Sequence, residues 1–221
     1  METRKFAFIY PTDEIFNQEL SNHPVPNQII SQWTRDREHL FLPKIQAVKS
    51  QREVRKIQAE VRREQAELFR PTYSQKLNSC INHRYRKNNF QVYWVSTSQE
   101  PISSVVQVHP EDHLIDDNAN GKTYANPDFI LDQILPVDRL VLAGFHLGDC
   151  VERIARRAHK RRINVLVDED LTEFFAWRLM DPDFRIKTYP TYNPQKGNRI
   201  SSFEHFMRIR KGKPWLYQDY V

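Results

Sequence analysis

Leu140-Val141-Leu142-Ala143-Gly144-Phe145-His146-Leu147-Gly148-Asp149-Cys150-Val151-Glu152-Arg153-Ile154-Ala155 decides the reading of this chain. An apolar, β-branched run, Arg139 to Ala143, stops at Gly144 and reads as a buried strand. A tight turn follows, where Gly148 supplies backbone freedom. A helix then opens with Cys150 in its first turn and Asp149 at the cap position. Val151, Ile154, Ala155 and Ala158 recur at i, i+3, i+4 and i+7, which is one apolar stripe. The polar faces carry Glu152, Arg153, Arg156, Arg157 and Lys160. Ile163 to Val167 is a second buried strand, closed by Asp168-Glu169-Asp170.

Outward from this unit the pattern repeats. Lys5 to Tyr10 and Phe90 to Val95 read as further buried strands, His113 to Ile115 as a weaker one, and Phe129 to Leu135 as a short helix. Strands alternating with helices predict an α/β fold: a three-layer sandwich with a mostly parallel sheet. Residues 43–70, rich in helix formers, exceed what such a unit needs. Pro43 suits a first turn and Pro71 a stop. The stripe Val54, Ile57, Val61 and Leu68 is narrow, so this long helix is expected to cover one partner helix. That partner is a second copy of the chain, giving a homo-oligomer, or the chain's own residues 73–85 folding back. We read residues 1–221 as a single α/β domain with a helical insertion over about 34–75 and a C-terminal extension over about 181–221, holding a short helix at 202–209.

Composition narrows the function classes. Lys and Arg number 33 against 28 Asp and Glu, a net charge of +5. That balance is mild. Acids intersperse the basic residues of 43–70, which read, like the basic stretch Arg156 to Arg162, as a solvated helix face, so nucleic acid is not the expected partner. The two cysteines, Cys80 and Cys150, cannot build a disulfide framework or a four-thiolate zinc site. No apolar run reaches membrane-spanning length and no secretory leader is evident, so a cytoplasmic protein is expected. His109-Pro110-Glu111-Asp112-His113 lacks standard metal-ligand spacing, and neither metal nor cofactor is expected.

The thiol at the strand–turn–helix junction carries the chemistry. A helix N-terminus favours a thiolate, and its free N–H groups can hold the oxyanion formed when sulfur attacks a carbonyl. Asp149 opposes this by charge. Cys80, between Leu77 and Ile81, reads as a small buried hydrophobe.

Residues 144–170 resemble the C-terminal half of the isochorismatase-like cysteine hydrolases, with a weaker resemblance over most of the chain. The resemblance implies a cysteine-dependent hydrolase acting on an amide, C–N or related bond of a small molecule. It implies Cys150 as nucleophile, a Lys closing the third strand and an Asp closing the first. Counting back from Phe16 puts that Asp at Pro11, so Asp13 is the nearest carboxylate. Lys122, in Asn120-Gly121-Lys122, is the Lys candidate. Phe145, His146, Leu147 and Gly148 of the nucleophile turn are the substrate-binding candidates, with Leu147 where the family commonly has a small polar residue. The alternative is a catalytically degenerate member that binds or assembles through its helical insertion.

Overall fold

The computed structural model describes residues 2–22, 27–47, 50–97, 101–117, 126–145, 149–172, 184–188 and 211–216. Its centre is a five-stranded sheet of β1 (Arg4–Ile9), β2 (Phe90–Ser96), β3 (His113–Asp116), β4 (Arg139–Gly144) and β5 (Val165–Val167). The order is β3-β2-β1-β4-β5, and every pairing is parallel. Helices α1 (Asp13–Asn22), α2 (Asn27–Ala47), α3 (Gln51–Arg84), α4 (Pro127–Ile134) and α5 (Cys150–Lys160) complete it. This is the expected three-layer α/β fold with a long helix.

Both faces of the sheet are covered, which is why its strands are apolar without alternation. Phe6, Phe8, Trp94, Val141 and Ala143 point to one side. There they meet Phe16 and Leu20 of α1 and Phe69, Tyr73, Leu77 and Ile81 of α3. Ala7, Ile9, Val95, Leu140 and Leu142 point to the other, against Ile130 and Ile134 of α4 and Val151, Ile154 and Ala158 of α5. Each fully buried Ile or Phe side chain contributes about 1.5–3 kcal/mol.

The helical insertion departs from expectation in its limits. Pro43 lies inside α2, and the long helix begins at Gln51. Ser50 caps it by accepting from the Glu53 N–H at 3.3 Å. Pro71 does not end it: α3 continues to Arg84. A proline inside a helix costs about 3 kcal/mol. Burial of Phe69, Tyr73, Leu77 and Ile81 on either side exceeds that cost. Residues 73–85 therefore prolong the helix and do not fold back on it. The neighbour of the Val54–Val61 segment is α2, joined by an Arg37–Glu64 ion pair at 3.2 Å. Val54, Ile57 and Val61 are half-buried, and Leu68 is exposed.

The described pieces of the C-terminal extension lie on the sheet. Leu216 bridges to Val167, Trp215 is buried against His159, and Arg84 donates to the Arg185 and Ile186 carbonyls. The helix expected at 202–209 lies outside the described residues.

Gly144 sits opposite Ile9 where β4 leaves β1, with φ +115°. A Cβ there would stand 2.3 Å from the Ile9 carbonyl oxygen. Gly144→Ala should destabilise the fold by at least about 2 kcal/mol, through backbone strain and overpacking together. Urea titration reads this, and an unchanged midpoint would contradict the close approach.

Candidate functional site

The strand order places a switch point between β1 and β4. From β1 the chain winds outward through β2 and β3, and then returns to β4 on the other side of β1. Above such a point the two neighbouring connections diverge and leave a crevice at the carboxyl ends of the strands. Tyr10 leaves β1 there, Gly144 and Phe145 leave β4 there, and Cys150 opens α5.

Cys150 is 5% exposed and belongs to the same buried cluster as Tyr10, Ile9 and Val151. Asp149 occupies the cap position without making a side-chain cap bond; its carboxylate lies 3.7 Å from Arg153, one turn along. The first-turn amides of α5 are thus not taken by the Asp149 side chain, contrary to the capping role read from sequence. That matters because first-turn N–H groups are what a helix offers to negative charge.

Tyr10 and Asp117 are the residues that sequence reasoning missed. Tyr10 takes φ +54°, which turns its ring inward, and its hydroxyl donates to Asp117 Oδ2 at 2.5 Å. Asp117 follows β3 directly and is 1% exposed. Burial raises the Tyr10 phenol above its ordinary pKa, and the hydrogen bond and charge of Asp117 raise it further. Cys150 adds to the rise and Arg153 opposes it, so these groups share one electrostatic environment. The phenol is a protonated donor at neutral pH.

The other sequence candidates fall as follows. Asp13 begins α1 on the opposite side of the sheet end. It accepts from Ser103 Oγ and pairs with Arg70 at 3.2 Å. These contacts tie α1 to α3 and to the 101–106 loop, and they account for Asp13 without the thiol. Phe145 is buried in the α1/α3 core, against Phe16 and Phe8, whereas Cys150 belongs to the cluster on the other face of the sheet. Lys122, His146, Leu147 and Gly148 lie outside the described residues. Among the described residues no group of three or more His, Cys, Asp or Glu could hold a metal ion, and no helix is long and apolar enough to cross a membrane.

A cavity of about 360 Å³ opens at the carboxyl ends of β2 and β3, lined by Trp94, Ser96, Ile102, Leu114 and Asp116 among others. Its size suits a small molecule. Its wall draws on both cores: Trp94 belongs to the α1/α3 core, and Ile115 to the α4/α5 core that also holds Cys150. Asp116 lines the cavity, and Asp117, the next residue, reaches Tyr10.

A second polar cluster lies deeper. Asp168 and Asp170, after β5, converge on Arg84 at 3.1 and 3.0 Å, and the Tyr85 hydroxyl donates to Asp168. All three charged side chains are essentially buried. Arg84 is the last residue of α3 and ties its end to the sheet. The acidic close of the fifth strand therefore anchors the long helix.

Known proteins offer little comparison. No protein-family model matches the chain, and no curated protein matches it. Among solved structures, a chain from Leishmania major named as a Mar1 ribonuclease is similar at 11% identity and a TM-score of 0.44, covering 98% of this chain and 95% of that one.

Proposed function

We propose that the protein is a cysteine hydrolase of isochorismatase-like design, acting on an amide, C–N or related bond of a small molecule with Cys150 as nucleophile. The observation that supports this reading is that Cys150 shares a buried cluster with Tyr10, whose hydroxyl donates to the buried Asp117, at the switch point of a parallel sheet. In this reading the Cys150 sulfur attacks the carbonyl carbon, and the first-turn amides of α5 hold the oxyanion. The thiol proton passes to the Tyr10 oxygen as the phenol's own proton moves to Asp117. Reversal of that relay protonates the leaving amine as the C–N bond breaks, and water then attacks the Cys150 thioester, releasing the acid and restoring the thiol. The carboxylate comes from the third strand and replaces the family's Asp of the first strand. Asp13 has no role in this scheme.

Cys150→Ala should abolish release of ammonia from a panel of small primary amides, a fall of at least about a thousandfold for loss of a nucleophile. Tyr10→Phe should lower turnover by about a hundredfold, the size of a general acid–base contribution. Hydrolysis that survives Cys150→Ala unchanged would discard the nucleophile. The degenerate, binding reading of the chain would then take its place.

A further inference from the structure

Helix α3 is far longer than the sheet it packs on. Its 34 residues span about 51 Å at 1.5 Å each, whereas the seven residues of β2 span about 23 Å. The helix ends beside the start of β2, where Tyr85 stacks on Phe6. Arg70 already meets Asp13, which lies past the carboxyl end of β1. Residues 51–65 therefore overhang the carboxyl edge of the sheet, the edge at which Cys150 lies.

The character of one face changes along the helix. Ala66, Phe69, Tyr73 and Leu77 form its buried line. Carried back by helical period, that line passes through Arg63, Arg62, Ala59, Lys56, Arg55 and Arg52, at i, i+3, i+4, i+7, i+10 and i+11 counted from Arg52. Five of these six residues are cationic and all six are exposed. The acids of the run, Glu53, Glu60 and Glu64, sit on a separate flank, and Glu64 is taken by Arg37. The interspersion that makes the run look neutral in sequence is thus resolved by the helix into a basic stripe about 16 Å long. None of the five cations has an ion pair among the described residues.

We infer that this stripe binds the phosphodiester backbone of a nucleic-acid strand. Four of the five cations are arginines, whose planar fork matches phosphate. The stripe contains no large apolar side chain to enter a bilayer, so a lipid surface fits it poorly. The inference does not rest on the Cys150 chemistry.

The test is fluorescence anisotropy of a labelled single-stranded oligonucleotide of about 20 residues, RNA and DNA in parallel arms, against the full chain. With five phosphate contacts, affinity should fall by about a hundredfold between about 50 and 200 mM salt. Arg55→Gln/Arg62→Gln/Arg63→Gln should flatten the log–log salt slope by about 2, since each contact contributes about 0.7 on a single strand. Lys87→Gln/Lys160→Gln/Arg162→Gln removes the same charge elsewhere and should leave the slope unchanged. Circular dichroism confirms that both variants keep their helices. No binding by wild type at about 50 mM salt, or equal losses in both variants, would overturn the inference. So would binding to phosphatidylserine vesicles without binding to either oligonucleotide.

Discussion

Iodoacetamide at about pH 7.5 should alkylate Cys150 at least about a hundredfold faster than Cys80. The two thiols differ in surroundings more than in accessible area. Cys80 is 0% exposed in the α3 face that packs on the sheet, and burial pushes its thiol up to about 12, with Arg84 only partly opposing. Its thiolate fraction at that pH is about three orders of magnitude below that of an ordinary cysteine. Cys150 sits in the first turn of α5, whose amides the Asp149 side chain does not cap, and shares an electrostatic environment with Tyr10 and Arg153. Mass spectrometry of the partly labelled folded protein assigns the rates. Comparable labelling of the two, with the fold intact, would remove the basis for a nucleophile at 150. Raising the pH to about 9 should speed Cys80 tenfold or more, since its thiolate fraction grows tenfold per unit well below its pKa.

The second large effect concerns stability. Arg84→Met should destabilise the protein by about 3–5 kcal/mol, because it leaves Asp168 and Asp170 buried without a counter-charge. That corresponds to roughly 10 °C in Tm for a chain of this size. Burial works against the charge on Arg84, but the two carboxylates outweigh it and its pKa rises. Asp168 moves the opposite way in stability terms. Burial raises its carboxyl despite Arg84, and Asp170 raises it further, because two acids share one cation. A carboxyl with a raised folded pKa contributes its stability at low pH and loses it as pH rises through the folded value, about 6 here. The Asp168 contribution should therefore grow as wild type is taken from about pH 7 to pH 5, and Asp168→Asn should flatten that dependence. Adding Asp168→Asn to Arg84→Met should restore part of the loss, and further destabilisation by the second change would refute the shared-cation account. Arg84 also holds the Arg185 and Ile186 carbonyls. Proteolysis near 184–188 should accelerate in Arg84→Met, which a purely local defect would not produce.

The sequence by itself determined the parallel α/β architecture. Buried strands of five or six apolar residues and an amphipathic helix at 150–160 are local patterns, with periods set by backbone geometry. The position of Cys150 at the start of α5 was legible for the same reason. So was the start of α3, where Ser50-Gln51-Arg52-Glu53 is a capping-box pattern that the reading from Pro43 passed over. Only the tertiary structure decided where that helix ends. Pro71 is a local stop signal, and it is overruled by aromatic and aliphatic burial on a sheet assembled from distant segments. The same holds for the polar partners. Tyr10 and Asp117 are 107 residues apart and meet because β1 and β3 both end at one edge. Asp13 is close to Tyr10 along the chain, but the helical turn that begins there carries it to Arg70 and Ser103. Charge followed the same rule. Along the chain, Arg52 to Glu64 alternates in sign, and winding at 3.6 residues per turn separates the signs onto two faces. Which face stands free past the sheet depends on the sheet's length, a quantity no single segment contains.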